Sequence, residues 1–297
     1  MKLDRVLIYG MGLMGGSLSL TIREKFPKAK IFAVVRSEKS KNSIIQKKLA
    51  DQVLLNDETF SIDWDQYDLV VFSTPVTSVL KLIPSLPKKS STIFMDLGST
   101  KQSIVAAVDQ HFGNFEHNYI SAHPMCGSEQ TGPLAAIPNL YQDKLCILTK
   151  PKAASQTSFE AVNKFWETIG SWTIPMDANV HDETLAYVSH LPHVISTILV
   201  NVAGKNKTTM EQVSSITKPI TGGGFRDMSR IAGSNAEMWA SIFEENKVFL
   251  KNSIDDFIKE LNEFRKLFQE ETNLDESSIH SIWDLALKQK EIIQKTK

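Results

Sequence analysis

The chain has 297 residues, and its 33 lysines and arginines against 34 aspartates and glutamates leave a formal net charge of -1. That balance offers no basic excess for releasing counterions from a phosphate backbone, which argues against nucleic acid as a partner. Hydrophobic residues make up 42%, enough for a sizeable core, and no uninterrupted apolar run reaches the roughly 18 residues of a membrane span.

The N-terminus MKLDRVLIYG enters a strand-like run with no charged n-region, long apolar stretch or cleavage site. Cys126 and Cys146 are too few for a disulfide framework. A cytoplasmic protein without membrane attachment is the expectation. The length is about twice the ~150 residues of one domain, and the pattern of elements changes once along it.

Strands are expected at 6–9, 31–35, 52–55, 69–73, 92–95, 119–122, 145–148 and 172–175. The early ones are continuous apolar runs rich in Val, Ile and Phe, as in parallel strands buried on both faces. Helix-like stretches separate many of them, the pattern of βαβ units. Beyond about residue 178 the strand signals stop. An apolar helix is expected over 182–203, kinked by Pro192, which lacks a backbone donor and frees the carbonyl of Val188. Ser234-Asn235-Ala236-Glu237 has the form of a capping box and predicts a long helix running to about Gln269. A last amphipathic helix is expected over 276–294. The fold class is therefore α/β: an N-terminal doubly wound, mostly parallel sheet in residues 1–177, then an all-helical domain in residues 178–297.

Gly10-Met11-Gly12-Leu13-Met14-Gly15 lies between the first strand and the first helix. In that context a GxGxxG reads as a dinucleotide site of the Rossmann type. Gly10 permits the turn, Gly12 lets a pyrophosphate approach, and Gly15 lets helix and strand pack closely. The second strand ends Val34-Val35-Arg36-Ser37, with no carboxylate before Glu38 to accept from a ribose 2′-hydroxyl. Arg36 and Ser37 suit a 2′-phosphate instead, so NADP is favoured over NAD. Ser73 ends the fourth strand and belongs to the same cofactor-binding set. Ser99, in Asp96-Leu97-Gly98-Ser99-Thr100-Lys101, follows the fifth strand and can meet a ligand or cap a helix.

His123 ends the sixth strand and is placed to exchange a proton or hydrogen bond near neutral pH. A thiol dyad with Cys126 lacks an orienting third group. His181-Asp182 and Ser189-His190-Leu191-Pro192-His193 raise a metal reading through His190 and His193, with Asp182 or Glu183 adding oxygens. The proline and the glycine fingerprint weigh against it, and no metal is expected. Gly223-Gly224-Phe225-Arg226-Asp227-Met228-Ser229-Arg230 suggests an anion held by an arginine, with Asp227 steadying it. Trp239 walls a pocket or belongs to the core.

Taken in order, GMGLMGGS at 10–17, DLGSTK at 96–101, HPMCGSE at 123–129, HD…SHLPH at 181–193 and GGFRDMSRIAGSNAEMW at 223–239 resemble the prephenate/arogenate dehydrogenases of tyrosine biosynthesis. The resemblance implies oxidative decarboxylation of prephenate to 4-hydroxyphenylpyruvate with hydride transfer to NAD(P)+. It also implies a homodimer formed through the helical domain. By motif, His123 would be catalytic, with Ser99 orienting it and His193 lying between substrate and cofactor. Arg230 would bind the ring carboxylate, with Ser189 nearby, Glu129 at the entrance and Trp239 lining the pocket. Gly10, Gly12, Leu13, Met14, Gly15, Arg36, Ser37 and Ser73 would hold the cofactor. Val35 stands where many NAD-using members have an aspartate. Arogenate, which carries an ammonium, would call for an acceptor near the side chain, and no further acid follows Glu129 in Gln130-Thr131-Gly132-Pro133. An arogenate dehydrogenase and a dehydrogenase of β-hydroxy acids are the alternative enzymes. A non-catalytic nucleotide sensor and a metal hydrolase are the alternative classes.

Overall fold

The structure, a computed structural model, describes residues 3–56, 62–127, 130–268 and 274–295. Eight strands form one sheet: β1 (Arg5–Tyr9), β2 (Lys30–Val35), β3 (Gln52–Leu55), β4 (Leu69–Phe72), β5 (Ile93–Asp96), β6 (Tyr119–Pro124), β7 (Leu145–Thr149) and β8 (Trp172–Pro175). Each falls within a residue or two of its sequence expectation. The order is β3-β2-β1-β4-β5-β6-β7-β8. All neighbours are parallel except β6 and β7, where His123 pairs with Ile147.

Helices α1 (Leu13–Lys25), α2 (Glu38–Gln46), α3 (Val76–Leu82), α4 (Gln102–Phe112) and α5 (Gln156–Thr168) connect the strands. Strand periodicity divides the core between the two faces. Val6 and Ile8 of β1 pack with Leu18 and Ile22 of α1 and Phe165 and Trp166 of α5. Leu7 and Tyr9 point the other way, with Val76 and Val79 of α3 and Ile104 and Val108 of α4. Both faces are covered, which is why these strands read as unbroken apolar runs.

The helical segment begins with α6 (Ala178–Leu185) and continues through a π-turn over Ala186–His190 into α7 (Leu191–Lys205). Pro192 sits at the start of α7 and, instead of a free kink, the wider turn absorbs it: the Leu191 N–H bonds the carbonyl of Ala186. There follow α8 (Lys207–Ser214), α9 (Gly223–Ser229), α10 (Ala236–Glu245), α11 (Lys247–Arg265) and α12 (Glu276–Gln294). The expected capping box is replaced by Asn235, whose Oδ1 accepts from the Met238 N–H; the Ser234 hydroxyl turns back to the carbonyl of Ile231. The single long helix expected after it is broken at Asn246. Its expected end, Gln269, lies outside the described residues.

By contacts the chain divides into a unit of Met1–Phe249 and one of Leu250–Lys297. Within the second, the Phe264 ring lies 6.1 Å from Trp283. The stretch Ala178–Lys205 is long and apolar enough, by length and composition, to cross a membrane, although polar residues interrupt its apolar run.

Under the C-terminal ends of β5 and β6 lies a buried polar cluster. Asp96 and Lys101, fully buried, form an ion pair at 2.5 Å. Asp96 also accepts from the Gly98 N–H at 2.8 Å and the Tyr119 hydroxyl at 3.2 Å. The Lys101 ammonium donates to the Ser121 hydroxyl at 2.9 Å and the Ala122 carbonyl at 3.0 Å. The loop carrying Ser99 is thus pinned to the strand that carries His123. Lys101→Met leaves the Asp96 carboxylate buried with no cation beside it. The expected cost is about 3–5 kcal/mol, read as a lowered urea midpoint at unchanged slope; an unmoved midpoint would show the pair to be dispensable.

Candidate active site

The strand order turns back between β1 and β4, so their C-terminal ends open a crevice of the kind that binds nucleotides. Gly10 occupies it with φ +90, and a Cβ there would stand 2.5 Å from the Thr74 side chain. A Cβ on Gly15 would stand 2.2 Å from the Gly10 carbonyl, which accounts for the third glycine. At Gly12 a Cβ would meet nothing within 4 Å, so this glycine faces open space. Gly12 is also the N-cap of α1 and supplies no side-chain cap. The first amides of α1 are left for an anionic ligand.

A cleft of about 710 Å³ extends from this turn, lined among others by Gly10, Gly12, Val35, Arg36, Ser37, Ser40, Asn56, Ser73, Thr74 and Lys81. Its described lining contains two cations and no aspartate or glutamate. The Thr74 hydroxyl is buried without a partner. Glycine turn, uncapped helix and unpartnered hydroxyl together fit a dinucleotide. Leu13 and Met14 pack their side chains against the core and Gly15 is buried, so these three offer a ligand backbone only.

His123 lies at the far side of the sheet's C-terminal edge and is half-buried. Its Nδ1 is 2.8 Å from His181 Nε2. His181 Nδ1 in turn is 2.7 Å from Asp182 Oδ1. That carboxylate accepts the backbone N–H of Lys101 at 2.8 Å on Oδ1 and that of Gln102 at 2.8 Å on Oδ2, at the N-terminus of α4. Burial, then the neighbouring His181, Lys101 and His190, hold the His123 imidazole well below the usual histidine range. Burial also lowers His181 against the opposing pull of Asp182. Both shifts favour the neutral rings at neutral pH.

The helical segment adds a second group. His190 is buried, its Nδ1 accepting from Asn246 Nδ2 at 3.0 Å; the same amide group donates to the Asp182 carbonyl at 2.7 Å. Burial pushes His190 down to about 4. His193 donates from Nδ1 to the Ser189 carbonyl at 2.9 Å, and its ring lies tilted against Trp239 with centroids 3.8 Å apart. Burial and the Arg230 guanidinium both depress His193, so Arg230 lies within electrostatic reach of that ring. The Arg230 segment is held by Ser196, whose hydroxyl donates to the Met228 carbonyl at 2.6 Å. Trp239 Nε1 is buried without a partner, a donor available to a ligand.

His123, Ser189, His193, Arg230 and Trp239 therefore belong to one network of contacts and fields running through His181 and His190. Ser99 is carried by the loop pinned beneath His123. Glu129 lies outside the described residues. Asp227 forms no ion pair with either arginine among the described residues; Arg226 donates to the Thr221 carbonyl instead. His190 and His193 do not converge, because their rings turn to Asn246 and Trp239, and among the described residues no group of three or more potential metal ligands gathers. Sequence reasoning passed over the structural parts played by Asp96, Lys101, His181, Asp182 and Asn246. Asp96 and Lys101 stood inside a motif read for its serine. Asn246 carried no signal beyond its place between two helices.

A family model for the prephenate dehydrogenase nucleotide-binding domain matches residues 18–174, and one for the prephenate dehydrogenase dimerization domain matches residues 177–281. The chain is 30% identical to a cyclohexadienyl dehydrogenase of Zymomonas mobilis over 88% of this chain and 87% of that one. It is 27% identical to a prephenate dehydrogenase of Bacillus subtilis over 90% of this chain and 71% of the relative. A crystal structure of Aquifex aeolicus prephenate dehydrogenase, in complex with hydroxyphenyl propionate and NAD+, superposes with a TM-score of 0.80 at 28% identity, covering 98% of this chain and 99% of that one. With both family models in sequence, the chain belongs to the prephenate dehydrogenase family.

Proposed function

We propose that the protein oxidatively decarboxylates prephenate to 4-hydroxyphenylpyruvate, with His123 as the hydrogen-bond acceptor for the C4 hydroxyl and Arg230 as the carboxylate anchor. The observation that carries this reading is the neutral His123 ring at the sheet's C-terminal edge, within a network that extends to Arg230. The sheet fold in residues 1–177 holds the cofactor, and residues 178–297 supply the substrate and dimer contacts. Exposed Ile198, Val202, Met210 and Val213, together with the match to a dimerization domain, support a homodimer. A cytoplasmic location agrees with this biosynthetic role.

The nicotinamide cofactor, when bound, takes the hydride from C4 of the substrate ring. The residues of the chain do the rest. Neutral His123 accepts a hydrogen bond at Nε2 from the C4 hydroxyl, drawing density toward the carbon that loses hydride. Arg230 orients the ring carboxylate, which departs as carbon dioxide while the ring becomes aromatic; the hydroxyl proton stays with the phenol produced. Trp239 Nε1 offers a hydrogen bond to a substrate oxygen, and its ring holds His193 in place. Ser99 and Ser189 serve the cofactor and substrate sides. Alignment of donor and acceptor contributes on the order of 7–11 kcal/mol in well-oriented reactions.

NADP is the favoured cofactor. Arg36 and Lys81 line the cleft, no carboxylate does so among the described residues, and the N-terminus of α2 adds amides beside Ser37. Arg36→Ala should raise the KM for NADP about tenfold or more and leave that for NAD nearly unchanged. Rates followed by nicotinamide absorbance over both cofactors, with prephenate and arogenate, check the cofactor and the substrate together. Equal loss toward NAD and NADP would count against the phosphate role.

His123→Asn should keep cofactor affinity and lose kcat by roughly 10²–10⁴-fold. Because its neutral form acts and its pKa is held below 6.5, the acid limb of kcat/KM should fall below pH 6.5. A limb at or above that value would contradict a desolvated neutral base. Arg230→Ala should mainly raise KM for prephenate, and an unchanged KM would remove the anchor role.

A further inference from the structure

The contacts behind His123 assign a function to His181 and Asp182 that neither family membership nor the proposed mechanism supplies. The order of protons along them follows from the carboxylate. Asp182 accepts two backbone N–H groups at the start of α4 and is buried, with 1% exposure. A carboxylate so placed is an acceptor only. His181 Nδ1, at 2.7 Å, must then donate to it. A neutral ring that donates at Nδ1 has a bare Nε2. His181 Nε2 is 2.8 Å from His123 Nδ1, so His123 Nδ1 must be the donor of that bond. A neutral His123 is left with its lone pair on Nε2, which has no protein partner among the described residues.

We propose that His181, oriented by Asp182, is a positioning residue that fixes His123 in the Nδ1–H tautomer and leaves Nε2 as the acceptor for the substrate hydroxyl. The inference rests on the reading of His123 as hydrogen-bond acceptor for the substrate hydroxyl. The opposite tautomer would present an N–H to the hydroxyl and leave the base unable to accept. The same logic operates where a buried aspartate fixes the imidazole of a hydrolytic triad; here a second imidazole stands between carboxylate and base. As the substrate hydroxyl shares its proton with Nε2 in the transition state, the chain places a fixed acceptor behind Nδ1–H and a carboxylate behind that. Neither His181 nor Asp182 needs to touch the substrate.

The test uses the full chain with its cofactor. Two-bond proton–nitrogen correlation NMR of the imidazoles, at neutral pH, reads the tautomer of His123 directly; a His123→Asn sample identifies its signals. The expected result is protonated Nδ1 and bare Nε2. A wild-type His123 protonated at Nε2 overturns the proposal, whatever the activity. His181→Phe removes the acceptor and should lower kcat by about 10²-fold, at the lower end of what a positioned proton acceptor contributes, with the KM for substrate and cofactor affinity little changed. His181→Gln keeps an oxygen toward His123 and an amide N–H toward Asp182, and should recover most of the loss. A kcat for His181→Phe equal to wild type, or equal losses in Phe and Gln variants of intact fold, would overturn the positioning role. Should His181→Phe fail to fold, the wild-type spectrum and the Gln variant still decide. Failure of the functional reading is distinct: the wild type would then turn over neither cyclohexadienyl substrate, while the tautomer remains measurable.

Discussion

The site depends on one buried carboxylate. Asp182 satisfies two of the amide groups that open α4, receives the N–H of His181, and through its own carbonyl is tied to Asn246. A desolvated charge survives only when its lone pairs are filled, and here the filling groups come from two distant parts of the chain. The helix N-terminus contributes a favourable field in addition to the hydrogen bonds. Asp182 is therefore both the fastener between α4 and the helical segment and the origin of the proton order at His123. Structural and chemical roles coincide in one side chain.

Around it the protein keeps its histidines neutral by burial rather than by charge compensation. For His123, His181, His190 and His193 burial is the largest cause of the lowered pKa. Lys101 adds to the effect at His123, yet it is itself balanced by Asp96 at 2.5 Å. That ion pair brings a positive charge close to the base without leaving a net charge in the core. It also ties the loop after β5 to the sheet, because its lysine is anchored to the strand carrying His123. The paired charge and the relay meet at Lys101, whose side chain serves the first and whose backbone N–H serves the second.

The sheet was legible because its strands are buried on both faces and so read as unbroken apolar runs. The turn at Gly10 was legible because a positive φ and a close approach to Thr74 leave few residues able to occupy it. Helix ends in the second half were less so. The π-turn before Pro192 and the cap at Asn235 rather than Ser234 turn on one hydrogen bond each, with no periodic signal to announce them. His181 and Asp182 were visible as a pair, but their chemistry depends on partners 58 and 81 residues away. Adjacent histidine and aspartate can serve a metal, a helix cap or a relay, and only the position of His123 decides among them. Asn246 was invisible for the same reason: its meaning lies in the Asp182 carbonyl and the His190 ring.

The stretch from α6 to the end of α7 shows how composition alone misleads in the other direction. It has the length and hydropathy of a membrane span, but several of its polar groups are engaged with protein. His181 bonds His123, Asp182 the amides of α4, His190 the Asn246 side chain, His193 the Ser189 carbonyl, and Ser196 the Met228 carbonyl. Drawing this segment into hydrocarbon would break each bond that leaves the segment, at a cost of several kcal/mol for every buried group left unpaired. The bonded polar groups lie toward its N-terminal half, while exposed apolar side chains run along its whole length, from Val180, Tyr187 and Val188 to Ile198 and Val202. An exposed apolar stripe on a helix so anchored is what a protein interface covers, and contact with lipid would require breaking the bonds just named.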